Sequence, residues 1–406
     1  MAIARLPKAL QCAGFEVGVL CPEMSFIGST RYLDRLFTYD PRCGETGVIK
    51  LFLESLAVWD AQLIVPGDER TLFFFHKMIQ ADREGALLDG ALEDLIFSFG
   101  NLDWHVEAVS KRLTLQTAAR LGIRTPRFAR PISLPHALSC AKKFGWPVVL
   151  KKSSSFAGHG VWFCENEGEL TLTYHEIDDP GHWDLIPMLH PFRTGGSPGR
   201  PCLSDDSFTV NEAISGIPAA VAVVAAHGKI LGGVAALKVK CHPDAKSPSS
   251  VLRFINNEYM FEAAQKLVSH WSATGFIGFD FMIDDHGVVY LLECNPRPTP
   301  LSYMGEHSGC DLCLCLRQYL TGGNIPVPSA PSHEFVAHFP NEWQRDNESQ
   351  YLHEAYHDVP WDDPALFYKL VADSQKAQSH SRSFKAVRRY LSGLRDTYIT
   401  GRALLR

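Results

Sequence analysis

The run from Gly278 to Arg297 constrains this chain more than any other. Gly278-Phe279-Asp280-Phe281-Met282-Ile283 reads as a strand and Asp284-Asp285-His286-Gly287 as a hairpin turn. Val288 to Leu292 reads as the return strand, which ends in Glu293-Cys294-Asn295-Pro296-Arg297. Side chains alternate between the two faces of a strand, so Glu293 and Asn295 share a face, and the hairpin can bring Asp280 beside them. Two carboxylates and a carboxamide at the end of adjacent strands form an all-oxygen set. That set suits Mg²⁺, a hard cation usually shared with substrate phosphates. Asp284 and Asp285 are turn residues. Arg297 lies between Pro296 and Pro298, which keep the backbone extended. Its planar guanidinium can hold a carboxylate or a transferring phosphate bidentately, with a structural ion pair as the plainer alternative.

A second segment carries a related chemistry. Trp146 to Lys151 reads as a strand and Val161-Trp162-Phe163 as its hairpin partner, with Ser153, Ser154, Ser155, Gly158, His159 and Gly160 between them. Small residues let backbone N–H groups approach phosphate oxygens, and a lysine at the strand end compensates a polyanion. Taken alone, a plain hairpin turn explains this loop equally well.

The remaining pattern is that of an α/β protein. An amphipathic segment at Ile3 to Cys12 and apolar strands at Phe15 to Cys21 and Ala61 to Val65 suggest a small parallel α/β unit over 1–105. The spacing predicts a helix from Asp103 to Leu121, closed by Gly122 and Pro126. Strands are expected at Phe208 to Ile214, Ala219 to Ala226 and Lys229 to Ala236, and a helix at Asn256 to Thr274. The Gly/Pro/Ser-rich stretch Pro187 to Ser207 is a loop near a site or a surface excursion. The Pro-rich run Ile325 to Pro331 reads as a linker into a polar region and a basic, helical tail from Lys376 to Arg406.

Composition narrows the class of partner. The formal net charge of -6 gives no reason to expect nucleic acid, and hydrophobic and charged fractions of 46% and 21% are those of a folded globular protein. No stretch approaches the roughly 18 apolar residues needed to cross a bilayer, and the first residues lack the core of a secretory signal. No membrane association and a cytoplasmic location are the expectations. Eleven scattered cysteines point to reduced thiols. Cys310, Cys313 and Cys315 lie in a Leu/Cys helix as small core residues rather than as a zinc site.

These segments, in this order, resemble the ATP-grasp superfamily from about residue 106 to 322, and more loosely back through the amino-terminal unit. The resemblance rests on a lysine early in the region, the strand lysine with its glycine loop, the Asn211-Glu212-Ala213-Ile214 segment, the acidic strand and the Glu-x-Asn-Pro-Arg ending. It implies an ATP-grasp fold over 106–322 with a flexible lid at about 125–212, a Rossmann-like pre-ATP-grasp domain over 1–105 and a carboxy-terminal extension over 323–406. By the same resemblance Lys111 and Lys151 contact ATP phosphates, and Ser154, Gly158 and Gly160 belong to the loop closing over them. Glu212 marks the hinge that receives adenine. Asp280, Glu293 and Asn295 hold Mg²⁺, with Mn²⁺ as a substitute, and Arg297 steadies the acyl phosphate or the substrate carboxylate. Two departures from the pattern are an opening helix where a strand usually leads, and Ala219-Ala220 where many relatives carry a polar residue.

The implied activity is a ligase that uses MgATP to turn a carboxylate into an acyl phosphate, which an amine then attacks. Small-molecule carboxylate and amine substrates are expected, and a homodimer is compatible with the resemblance. A carboxylase of the same fold and a nucleotide sensor without turnover are the alternatives. The complete Asp280, Glu293, Asn295 and Arg297 set argues against the sensor. Lys238, Lys240 and Arg253 are further candidates for phosphate or substrate, with surface lysines the commoner explanation.

Overall fold

A computed structural model describes residues 2–69, 71, 72, 74, 75, 78, 98, 103–153, 160–178, 208–244 and 247–374. Ser154, Gly158 and His159, the 187–207 stretch and the basic tail lie outside the described residues.

The strands, in chain order, are β1 (Gly18–Pro22), β2 (Arg35–Tyr39), β3 (Phe128–Ala129), β4 (Val148–Lys152), β5 (Val161–Cys164), β6 (Phe208–Glu212) and β7 (Gly216–Ala226). They continue with β8 (Lys229–Cys241), β9 (Ser249–Ile255), β10 (Gly275–Asp284), β11 (Val289–Asn295), β12 (Phe335–His338) and β13 (Tyr356–Asp358). They form a parallel pair β1-β2, a four-stranded sheet in the order β3-β6-β4-β5, and a seven-stranded sheet in the order β11-β10-β7-β8-β9-β12-β13.

The seven-stranded sheet is buried on both faces. Val221, Val223, Ile277, Phe279 and Phe281 pack with Met260, Leu267, Val268 and Trp271 of the helix Glu258–Trp271. Ala222, Val224, Val234 and Phe276 turn to the other face, against Cys313, Cys315 and Leu316 of the helix Leu312–Leu320. Period-2 alternation with apolar residues on both sides explains why β7 reads as an unbroken apolar run. The cysteines at 310, 313 and 315 are core residues of this second face, as expected, and all ten described cysteines are free thiols.

The four-stranded sheet packs one face against two helices. Val148, Leu150 and Val210 pack with residues of the helices Leu134–Phe144 and Glu167–Asp178, including Ala137, Cys140, Ala141 and Leu170. Lys151 pairs with Thr209 and Val149 with Asn211, so these four alternate to the opposite face.

Several elements differ from the sequence reading. Ala61 to Val65 is irregular rather than a strand, and the partner of β1 is β2, whose exposed, alternating residues gave little apolar signal. The helix expected over 103–121 is two helices, Asp103–Val109 and Lys111–Arg120. They break at Ser110, whose hydroxyl accepts from Leu113 N at 3.2 Å and caps the second. The strand β9 was not expected. Beyond the Pro-rich run, β12 pairs antiparallel with β9 and extends the seven-stranded sheet. Among the described residues no helix is long and apolar enough to cross a membrane.

The run Ile325 to Pro331 is pinned at Gly309, in the turn that precedes the helix Leu312–Leu320. Ser329 N donates to Gly309 O at 2.8 Å, and Gly309 has φ +78 with Ser329 O only 2.2 Å from where a Cβ would stand. Gly309→Ala is expected to cost about 2 to 3 kcal/mol, because the left-handed backbone and a backbone clash act together. Gly322, at φ +68 with open space around it, bears only the first penalty. Gly322→Ala should therefore cost about 1 kcal/mol, both losses being read from urea unfolding midpoints. Equal losses in the two variants would refute the contact.

Candidate active site

The site is built at the ends of β10 and β11. Gly278 faces Asn295, Phe279 faces Cys294 and Asp280 faces Glu293, but Phe281 pairs with Leu291, leaving Leu292 as the extra residue of a bulge. That bulge decides the site. Leu291 belongs to the core under the helix Glu258–Trp271, and strict alternation would point Glu293 the same way. The inserted residue reverses the phase and places Glu293 and Asn295 on the face of Asp280. Asn295 Nδ2 donates to Asp280 Oδ2 at 3.1 Å.

Three lysines converge on the two carboxylates from three elements. Lys111 opens its helix, and its N–H donates to Ser153 O at 2.9 Å, which ties that helix to the end of β4. Its Nζ is 3.1 Å from Glu293 Oε2. Lys238 of β8 donates from Nζ to Asp280 Oδ1 at 2.6 Å. It reaches across β7, where Ala220 is the residue opposite Asp280, so the small side chain leaves room for the contact. Lys151 lies close enough for its charge to act on Glu293 and Lys111.

The electrostatics follow from this packing. Burial alone would push the Glu293 carboxyl up, but Lys111 and Lys151 outweigh it and hold the group at about 2. Burial pulls the Lys151 ammonium below its ordinary range, only partly offset by Glu293. For Lys238 the same desolvation is overcome by Asp280, and its ammonium is held above its usual range. Three ammonium groups thus face two carboxylates, leaving a cationic excess suited to a polyphosphate.

Arg297 lies two residues beyond Asn295. Its Nε is 2.7 Å from Glu69 Oε1, yet the N–H is not aligned on an acceptor, so the pair is ionic rather than a directed hydrogen bond. Nη1 donates to Pro298 O at 3.3 Å.

Glu212 stands apart from the cluster, at the end of β6. Arg127 holds it through Nε to Oε2 at 3.0 Å and Nη2 to Oε1 at 2.8 Å, and this pairing keeps the carboxyl ionised below its usual range. Arg127 also donates to the carbonyls of Lys143 and Phe144 at the end of their helix. The Glu212 side chain is therefore committed to the fold. Gly160 closes the β4–β5 hairpin with φ +75, its carbonyl accepting from Lys152 N at 2.8 Å.

Lysines 111 and 151 with Asp280, Glu293 and Asn295 are thus brought together, and Arg297 adjoins them in sequence. Three partners went unread. Lys238 reads from sequence as a surface lysine, although its place on an apolar, alternating strand is a signal. Glu69, after the Pro66-Gly67-Asp68 turn, and Arg127 carry no local pattern that marks them. Lys240 and Arg253 are exposed, the latter paired with Glu334 at 2.8 Å.

Among the described residues no group of three or more His, Cys, Asp or Glu forms a self-sufficient metal cluster. Two carboxylates and one carboxamide nevertheless fit Mg²⁺, whose protein ligands are few when phosphates complete the shell.

No protein-family model matches the sequence. Over 187 residues the chain is 27% identical to the carbamoyl phosphate synthase large chain of Thermotoga sp. (strain RQ2), a stretch covering 44% of this chain and 16% of that one. It thus spans a small part of that relative. Among solved structures, the biotin carboxylase domain dimer of Hydrogenobacter thermophilus 2-oxoglutarate carboxylase, in complex with MgADP, ADP and bicarbonate, superposes with a TM-score of 0.59 at 17% identity. The match covers 81% of this chain and 69% of that one. The L-amino acid ligase of Bacillus licheniformis gives a TM-score of 0.54 at 15% identity, over 81% and 76% of the two chains.

Proposed function

We propose that this chain, which has the fold of the ATP-grasp superfamily, is an ATP-dependent ligase that activates a carboxylate as its acyl phosphate and passes it to an amine, releasing ADP and phosphate. The observation that carries this reading is the cluster of Lys111, Lys151 and Lys238 around Asp280, Glu293 and Asn295. In this reading residues 106–322 are the grasp region, with 125–212 as its lid. Residues 1–105 are the amino-terminal domain and 323–406 the extension.

Asp280, Glu293 and Asn295 would hold Mg²⁺, which when bound neutralises phosphate charge. The lysines hold the γ-phosphoryl oxygens by charge and direct its transfer, since phosphoryl transfer asks chiefly for positioning and electrostatic stabilisation. As phosphates arrive, Lys111 and Lys238 would exchange their carboxylate partners for phosphate oxygens, and the freed carboxylates are the ones that would hold Mg²⁺. Arg297 orients the substrate carboxylate, whose oxygen attacks the γ-phosphorus as ADP leaves. The amine then displaces phosphate from the acyl carbon, losing a proton. With the Glu212 side chain committed to Arg127, the backbone of 212–215 is what remains to read the base.

A carboxylase of the same fold is the second reading. It is favoured by the likeness to the 2-oxoglutarate carboxylase domain, whose structure holds bicarbonate.

Phosphate and ADP formation from MgATP, measured over pooled carboxylates and amines with bicarbonate as a separate arm, tests the proposal. Turnover that needs both an acid and an amine, and vanishes in Glu293→Ala and Arg297→Ala, is expected. Turnover with bicarbonate and no amine would replace the ligase reading by the carboxylase one. ATP binding without turnover in any pool would overturn both.

A further inference from the structure

A cleft of about 1450 Å³ opens beside Arg297, lined jointly by Glu69, by Tyr303 and His338, and by apolar side chains of the amino-terminal unit, including Leu20, Phe52, Leu56 and Ile64. This exceeds the roughly 300 to 1,000 Å³ of sites for drug-sized ligands, and is far more than a bicarbonate or acetate ion requires.

Its wall is not uniformly apolar. Arg297 Nε and both ring nitrogens of His338 are buried without an aligned hydrogen-bond partner among the described residues, and His338 is only 5% exposed. Each has a carboxylate beside it: Glu69 Oε1 is 2.7 Å from Arg297 Nε, and Asp358 Oδ2 is 3.5 Å from His338 Nδ1. All three arginines of the lining have partners: Arg5 donates to Asp358 Oδ1 at 2.9 Å and to Phe339 O at 3.2 Å, Arg317 to Gly14 O at 3.2 Å, and Arg297 pairs with Glu69 at 2.7 Å and donates to Pro298 O at 3.3 Å. Arg297, two residues beyond Asn295, is the one of the three that adjoins the lysine-carboxylate cluster in sequence, and Glu69 holds its guanidinium at the cleft.

We propose that the acid this site activates is a carboxylic acid with an extended apolar body, its carboxylate at Arg297 and its body along Leu20, Phe52, Leu56 and Ile64. The assignment rests on the carboxylate-activating reading above and deepens it by naming the substrate class. The cavity supplies the volume, the residues of the amino-terminal unit supply apolar contact, and Arg297 fixes the reacting end beside the phosphoryl group. A bicarbonate-sized acid would use only the Arg297 end of this space.

Binding without turnover separates this proposal from the activity itself. The full-length protein with MgADP is titrated calorimetrically with bicarbonate, acetate, butyrate and hexanoate, and Arg297→Ala is titrated in parallel. Each buried methylene is worth about 0.8 kcal/mol, or roughly fourfold in affinity, so hexanoate should bind on the order of two-hundredfold more tightly than acetate if fully buried. Arg297→Ala should lose at least about tenfold of the hexanoate affinity. Bicarbonate binding as tightly as hexanoate, affinity independent of chain length, or no binding by any of the four would overturn the proposal. Hexanoate binding unchanged in Arg297→Ala would overturn the placement of the carboxylate. None of these results depends on ADP formation, so ligase turnover with a small acid would sink this inference while leaving the ligase reading intact.

Discussion

Glu293→Gln is expected to lower substrate-dependent ADP formation by about a thousandfold and to flatten the acid limb of the stability profile. The first effect follows from removing a carboxylate that would hold the cation, worth several kcal/mol of charge stabilisation in the transition state. The second follows from its setting. Burial works against ionisation, but Lys111 and Lys151 hold the folded-state carboxyl at about 2 against an ordinary 4.5. A carboxyl held down in the folded state adds stability that is fully present above its unfolded value and is lost as pH falls through 4.5 toward 2. The contribution is on the order of 3 kcal/mol. The glutamine variant should start lower by that amount at pH 7, and the two curves should converge near pH 2. Urea midpoints across that range measure it. Parallel curves would show that the lysines do not depend on this carboxylate.

Arg297→Ala should cost two to three orders of magnitude in kcat/KM, because it removes the guanidinium that orients the acid and leaves Glu69 without its cation. The side chains of the pair are 22% and 15% exposed, buried enough for removal of one partner to be felt in folding. A double-mutant cycle of Arg297→Ala and Glu69→Ala in urea should give a coupling of about 1 to 3 kcal/mol. Glu69→Gln separates positioning from packing. It should raise KM for the acid several-fold while leaving the Kd for MgATP unchanged, since Glu69 touches the arginine and none of the phosphate-facing lysines. An unchanged KM would mean that the pair only docks the residues before 70 onto the main sheet.

The hairpin that carries the cluster was legible because apolar alternation on both sides of Asp284-Asp285-His286-Gly287 admits one local pairing, and the turn itself is closed by Asp284 Oδ1 accepting from His286 N and Val288 N. Lys111 and Lys151 were legible as types in a pattern, the former at the start of a helical run and the latter at the end of an apolar strand. Ala61 to Val65 misled because an apolar run before Pro-Gly looks the same in a strand and in an irregular segment. The break at Ser110 was hidden because both halves share helical spacing, and only the cap on Leu113 N divides them.

The features legible from the residues alone are therefore local: which residues alternate, where turns fall, and which side chains can take a cation or a phosphate. The tertiary structure decided how these meet. Strict alternation would have sent Glu293 into the core with Leu291, and the extra residue at Leu292 turns it to Asp280 instead. The bond from Lys111 N to Ser153 O joins a helix start to a strand end 42 positions away. Lys238 reaches Asp280 only because Ala220 stands between them, and Glu69 meets Arg297 across more than two hundred positions. Buried charges must find opposite charges wherever the packed chain supplies them. That pairing depends on how whole sheets stack and register, which no short window of sequence contains.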